Sequence, residues 1–509
     1  MMLGACELRD SFAIIPVALK ELGGKKEIKI WKLEKVHRKK YKNEIGEYLY
    51  YDCKSLFDAV TAYRGAAGKY KTIASNALAF SKRIGIDPGK TNYRFDANFR
   101  RYYFGGRTEC FQPGTHRNLA VLDIHSAYPY AMSQDHASGH EFLSKAKANS
   151  LDGLTREEIQ RSFITLECEA RGCFPVRAGA QGLIFPHEFN EFHVTGWEYI
   201  AAKDLGLIAN EKISNVLTFS KTINFSPYVK HWYEYKEKHP KKIDPMNYTI
   251  GKIMMNSLYG KLAQNPARYF DYKIVKGGTP FCHCKRDKQT GILNYDPECP
   301  IKDPENHGWI LGPEWDGHEI HERPTLHRYQ FLHGANWVSK NIYKNVATGA
   351  SVTGFTRAHL LRAMHAVGIE HVIYCDTDSL TVTPQANIAA LPQTPLLGDW
   401  ELEEANAPIG HFAGKKLYAI KNSADGKYKI ASKGARLNQK QIVKMIDGHS
   451  TTWREKDDQT AFDTIADITS GNIHTWNNDA PTFSLAGKAN FVVRNIRTTA
   501  HNRATTKDK

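Results

Sequence analysis

The segment Asn118–Ile124 (NLAVLDI) is a run of apolar, partly β-branched residues that stops at Ser126-Ala127-Tyr128-Pro129. This predicts a buried strand running into a turn, with an acid, Asp123, near its end. Further along, Asp244-Pro245 precedes MNYTIGKIMMNSLYGKLAQ. Asp suits the N-cap and Pro the first helical position, so a helix runs from there to about Gln264. On it Ile250, Met254 and Leu258 form an apolar stripe, while Lys252, Asn256 and Tyr259 make one row on another face. Apolar residues return at helical spacing between Ser351 and Val367, and Gly368 is placed to end that helix. His371–Val382 (HVIYCDTDSLTV) reads as two short strands joined near Asp376-Thr377, a β-hairpin with acids at its tip. Residues 277–324, rich in Gly, Pro, Asp and His, read as an irregular insertion.

With 509 residues, 41% of them hydrophobic, the chain can bury a large core and divides into several domains. It is too large for a small binding module. The formal charge of +15 and a pI near 9.2 point to a polyanionic partner, nucleic acid first. Lys25–Lys42 carries nine Lys/Arg against two Glu, interleaved with Ile28, Ile30, Trp31 and Leu33, and reads as structured basic surface. The nine cysteines are odd in number and scattered, which is no disulfide framework and fits a reducing compartment. No apolar run is long enough to span a membrane, and the start MMLGACELRD is unlike a signal peptide. The expectation is a soluble intracellular protein with no membrane partner.

Asp376 and Asp378 stand two apart, which in extended chain puts both carboxylates on one side. Like charges that close repel and need a cation. With Asp123 at the end of another strand, the chain has the oxygen ligands of a hard-cation site such as one for Mg²⁺. Alone, Asp-Thr-Asp is an ordinary hairpin tip. The row Lys252, Asn256, Tyr259 adds a cation, an amide and a ring able to hold a nucleotide by its phosphates and base. On a lone helix, Lys252 would be read as a surface lysine lying along apolar residues.

These residues carry a resemblance. Asp123-Ile124-His125-Ser126-Ala127-Tyr128-Pro129 resembles motif A of family-B DNA polymerases (D-x-x-S-L-Y-P). Lys252-x-x-x-Asn256-Ser257-Leu258-Tyr259-Gly260 resembles motif B, and Tyr374-Cys375-Asp376-Thr377-Asp378-Ser379 resembles motif C, in the family's order. Lys416-Leu417-Tyr418 is similar to the K-x-Y motif that follows motif C. Tyr103-Phe104-Gly105-Gly106 is similar to the Y-x-G-G motif that precedes motif A in the protein-primed branch. The departures are small: Ala127 replaces the usual Leu of motif A, and His125 fills a variable position.

From about Tyr48 to about Arg436 the resemblance implies an α+β right-hand polymerase fold. It comprises a palm with an antiparallel sheet, helical fingers and a thumb, plus a remnant of a ribonuclease-H-like 3′–5′ exonuclease domain. The implied division is 1–85 truncated exonuclease-like domain, 86–134 first part of the palm, 135–228 a terminal-protein-region-like insertion, 229–264 fingers, 265–344 a strand-displacement-region-like insertion, 345–430 second part of the palm, and 431–509 thumb and tail. It implies catalysis by Asp123, Asp376 and Asp378, with Asp123, Asp378 and the Ile124 carbonyl as ligands of two Mg²⁺ (Mn²⁺ able to substitute) and Asp376 less direct. Tyr128, Lys252, Asn256 and Tyr259 are implied to bind the nucleotide, and Tyr103, Gly105, Gly106, Lys416 and Tyr418 the DNA. Tyr128 would lie under the sugar and exclude a 2′-hydroxyl. The implied partners are template and primer DNA, dNTPs and a terminal priming protein, in viral, phage or linear-plasmid replication.

Tyr48-x-x-x-Asp52 matches the family's third exonuclease motif, and Asp10–Leu22 resembles the stretch just before it, whereas the D-x-E motif belongs upstream of both. Asp399-Trp400-Glu401 has the right letters but follows motif C. The expectation is a polymerase without 3′–5′ exonuclease activity. Cys282, Cys284 and Cys299 with His307 invite a zinc reading, but C-x-C is not the usual spacing, so they read as loop cysteines. The competing function is a catalytically silent DNA-binding polymerase remnant. An RNA polymerase or reverse transcriptase fits poorly, since those lack the K-x-x-x-N-S-x-Y-G helix.

Overall fold

The apolar run around Asn118–Ile124 lies at the centre of a seven-stranded antiparallel sheet. Its order is Tyr428–Ser432, Leu417–Lys421, Trp400–Gly414, Gly114–Ile124, Ser379–Val382, Val372–Asp376, Thr108–Cys110. The computed structural model describes residues 26–265 and 344–447 apart from short gaps, residues 11–16, and isolated short segments elsewhere. Cys282, Cys284 and His307 lie outside the described residues, as does most of 265–344 and of 448–509.

The central strand, Gly114–Ile124, is longer than its apolar run, because Gly114–Arg117 alternates between half-buried and exposed positions. The hairpin forms as expected, from Val372–Asp376 and Ser379–Val382. A second antiparallel sheet, in the order His136–Phe142, Ile208–Ile223, Ser162–Arg171, His187–Thr195, occupies the interval after motif A. The helix Val346–Ala366 packs against this sheet and the motif A helix Ala127–Met132, and is buried along nearly all its length. It begins before Ser351 because Asn345 caps it, accepting from the Thr348 N–H at 3.2 Å. Gly368 ends it with φ +91°, a conformation open to glycine.

Phe163, Val194, Trp197 and Phe219, all from the interval 135–228, are buried in clusters shared with this central helix. The interval is thereby built into the body that holds the central helix, and its removal would strip the core. The motif B helix runs Pro245–Leu262 with Asp244 as N-cap. Behind it pack two N-terminal helices, Lys42–Ala66 and Ile73–Arg83. Their Tyr63 donates to Met254 Sδ at 3.7 Å, and Asn76 donates to the Tyr63 hydroxyl at 3.0 Å. Mixed helices and antiparallel sheets make the fold α+β. Among the described residues no helix is long and apolar enough to cross a membrane.

Candidate active site

Antiparallel register aligns Thr108, Asp376, Ser379, Asp123 and Glu401 as one row across five neighbouring strands. Residues directly opposite in a sheet project to the same face, so Asp123, Asp376 and Glu401 share one. Asp378 lies in the two-residue loop of the hairpin. There Thr377 adopts φ +64°, a strained choice for a β-branched residue. Three backbone bonds hold the loop: Thr377 N–H to Arg107 O at 2.6 Å, Asp378 N–H to Asp376 O at 2.6 Å, and Ile124 N–H to Asp378 O at 2.8 Å. Gly106 presses against it, since a Cβ there would lie 2.6 Å from Thr377 Cγ2. The second glycine of Y-x-G-G is thus required by the motif C turn.

The three acids differ in electrostatic setting. Asp376 accepts from Thr108 Oγ1 at 2.9 Å and pairs with Lys416 Nζ at 3.2 Å, so its charge is compensated within the protein. Burial pushes the Asp123 carboxyl up to about 7, with Asp378, Glu403 and Glu401 adding to the rise and Lys429 opposing it. Burial, then Asp376, push Asp378 up to about 6, against its own backbone N–H and Lys416. Both groups hold protons to a higher pH than in the unfolded chain. Their ionisation therefore costs the metal-free fold stability as pH rises from about 4 to about 7. Two half-buried carboxylates short of positive charge suit a hard divalent cation.

Beside the acids, Ser126 turns the strand into the motif A helix with φ +54°. Tyr128 then stacks on Tyr259, ring centroids 4.0 Å apart and planes 11° from parallel. Burial pushes both hydroxyls up, that of Tyr259 to about 12. On the motif B helix Ile250, Met254 and Leu258 are buried, Lys252 is exposed and Asn256 and Tyr259 are half-buried, the division the sequence predicts. Asn256 Nδ2 donates to Lys252 O at 2.8 Å.

The Y-x-G-G loop is held by its carbonyls. Arg357 Nη1 donates to Phe104 O at 2.7 Å and Gly105 O at 2.8 Å, and Arg177 donates to Tyr103 O. Arg357 Nε also pairs at 2.7 Å with Glu198, both side chains 2% exposed. In K-x-Y, the Lys416 N–H donates to the Tyr374 hydroxyl at 3.0 Å, and Tyr418 packs on Tyr374 with centroids 5.0 Å apart. The fold thus gathers the acids, Lys416, Tyr418, Tyr103, Gly105, Gly106, Tyr128 and Tyr259. Tyr48 and Asp52 instead bond each other one turn apart on Lys42–Ala66, which raises the Tyr48 hydroxyl to about 12.

Sequence reasoning missed Arg357, Glu198, Thr108 and the Glu403–Lys429 pair at 2.7 Å. The alternation Glu401-Leu402-Glu403 was the one available signal, since period two places both glutamates on one strand face.

A palm sheet with acids at adjoining strand ends, faced by a helix bearing Lys, Asn and Tyr, defines a nucleotidyl-transferring polymerase. The chain belongs to the DNA polymerases of type B, organellar and viral, whose family pattern it matches over residues 9–280. It is 32% identical over 505 residues to the DNA-directed DNA polymerase of Enterobacteria phage PRD1, covering 97% of this chain and 82% of that one. It is 28% identical over 186 residues to a probable DNA polymerase of Agaricus bitorquis, covering 33% of this chain and 22% of that one. In fold it is similar to Phi29 DNA polymerase complexed with primer-template DNA and incoming nucleotide. The TM-score is 0.61 and identity 18%, over 94% of this chain and 79% of that one.

Proposed function

We propose that this polymerase adds dNMP units to a primer 3′-hydroxyl on template DNA and, at initiation, to a hydroxyl of a separate terminal protein. The setting is replication of viral, phage or linear-plasmid DNA. The observation that carries the reading is the placement of Asp378, in the hairpin loop, next to the strand end that bears Asp123, with both carboxyls raised by burial and by neighbouring acids. These carboxylates, with the Ile124 carbonyl, would hold two Mg²⁺, or Mn²⁺ in their place. Ions held by these residues would supply a lower pKa for the attacking hydroxyl and charge neutralisation on the departing pyrophosphate. Asp376, already paired with Lys416, keeps the loop and Lys416 in place. Lys252 grips the triphosphate as a point charge. Asn256 and Tyr259 shape the pocket of the nascent pair, while Lys416 and Tyr418 hold the primer end and the Y-x-G-G loop the DNA beyond it.

Primer extension tests the reading: purified chain, primed template, Mg²⁺ and dNTPs yield a complementary product. Absence of extension on any primer would favour a silent DNA-binding remnant.

Tyr128 is the proposed sugar filter, its ring fixed by the stack on Tyr259. Tyr128→Ala should raise ribonucleotide use at least about tenfold relative to dNTPs, since a hydroxyl-sized clash is worth roughly 1–3 kcal/mol. An unchanged dNTP/rNTP ratio of kcat/KM would make Tyr128 a core aromatic only.

Protein priming rests on Tyr103-Phe104-Gly105-Gly106 and the interval 135–228. It predicts that labelled dNMP becomes attached to a terminal protein through a bond that survives nuclease digestion. Label found only in DNA would refute it.

A further inference from the structure

The helix that carries Lys252, Asn256 and Tyr259 ends at Leu262, with Ala263 as its C-cap. The last carbonyls of a helix lack partners within it and take donors from elsewhere. Arg100 supplies them here: Nη1 donates to Ala263 O at 3.1 Å and Nη2 to Gln264 O at 2.7 Å. The same guanidinium is gripped by Asp96, one turn back on the helix Tyr93–Arg100, which accepts from Nε and, at 3.0 Å, from Nη2. Asp96 is only 5% exposed. Burial pushes its carboxyl up and Arg100 opposes that rise, so the pair is a built junction rather than a surface contact. Gly349 closes the other side, since a Cβ there would lie 3.1 Å from Ala263 Cβ.

Arg100 also ends the helix that leads into Y-x-G-G. The Tyr103 N–H donates to Arg100 O at 3.2 Å, and the Arg100 charge acts on the Tyr103 hydroxyl. Arg100 therefore joins the two elements from both of its ends, its backbone carbonyl holding the start of the loop beside the motif C turn and its guanidinium holding the end of the helix whose Tyr259 stacks on Tyr128. A planar fork with five donors can face a carboxylate and two carbonyls together, whereas an ammonium on a flexible stem cannot hold all three in fixed geometry.

We propose that Arg100 is a positioning residue for the incoming deoxynucleotide, locking the motif B helix to the Y-x-G-G loop so that the Tyr128–Tyr259 stack keeps its place. This rests on the reading of that stack as the nucleotide pocket. Loss of the guanidinium frees the helix end and loosens the pocket, while Arg357 and Arg177 still hold the Y-x-G-G carbonyls and with them the DNA contacts.

The test measures dNTP KM, kcat, the dNTP/rNTP ratio of kcat/KM and primed-template affinity for the full chain with Arg100→Met and Arg100→Lys. Arg100→Met should raise the dNTP KM about tenfold and lower the dNTP/rNTP ratio, with template affinity within about twofold of wild type. Arg100→Lys should fall between, and Asp96→Asn should shift both quantities the same way by less. A wild-type KM and ratio in the Arg100 variants, with activity falling only as the fraction of folded molecules, would overturn the inference. If Arg100→Met does not fold, Arg100→Lys decides by the same two quantities. Failure of the wild-type chain to extend any primer would instead sink the polymerase reading on which this one stands.

Discussion

Asp123→Asn and Asp378→Asn should each lower nucleotide addition by about 10³-fold or more, while primed-template affinity should stay within a few-fold. Asp378 sits in the hairpin loop next to the end of the Asp123 strand and its charge acts on Asp123, and burial raises both carboxyls, so each contributes charge that is held at a cost to the metal-free fold. Removing one would weaken the proposed cation site, whose effect would fall on the transition state and be worth several kcal/mol. Binding of a duplex is expected to rest mainly on basic surface, given the net charge of +15. Asp376→Asn should be milder, because Asp376 is already paired with Lys416 and bonded by Thr108. Single-turnover extension measures all three. Retention of a tenth of the wild-type rate by Asp123→Asn or Asp378→Asn would remove the basis for the metal assignment.

Arg357→Met should be the most destabilising single change described, by about 3–5 kcal/mol, because it leaves Glu198 charged and buried without its partner. It also removes the donor to Phe104 O and Gly105 O, so surviving protein should show weakened grip on primed template. That loss is a large part of a stability of roughly 5–15 kcal/mol. Urea unfolding monitored by fluorescence gives the number. Adding Glu198→Gln should recover part of it, since an amide still accepts from the Thr195 N–H and hydroxyl while removing the buried charge. A loss under about 1 kcal/mol for Arg357→Met would mean that water reaches the pair.

Much of the site was legible because its chemistry is local. Motif B declares itself through Asp244-Pro245 at its start and the split between Ile250-Met254-Leu258 and Lys252-Asn256-Tyr259. Motif C declares itself as two apolar runs about a tip. The packing of the interval 135–228, whose strands share the core of the central helix, was not legible, because it joins residues far apart in sequence. The start of that helix was missed because Val346-Ala347-Thr348-Gly349-Ala350 has weak intrinsic helix preference, and burial with the Asn345 cap overrides it. The contacts that hold the site join residues far apart in sequence. They include Arg357 with Glu198, Gly106 with Thr377, Arg100 with Ala263, and Lys429 with Glu403. No periodicity encodes these. Sequence marks such residues only as a buried-looking arginine, a glycine or an ordinary surface charge.

We propose a site in which Asp123 and Asp378 together hold two divalent ions. It is tested most directly by counting Mn²⁺ bound to the chain on a primer lacking its 3′-hydroxyl with the matching dNTP present, using electron paramagnetic resonance of the free ion. Wild-type protein should bind about two Mn²⁺ beyond those bound by the DNA and nucleotide alone, and Asp123→Asn and Asp378→Asn should each lose at least one. The wild-type count in both variants would mean that these two carboxylates do not hold the ions.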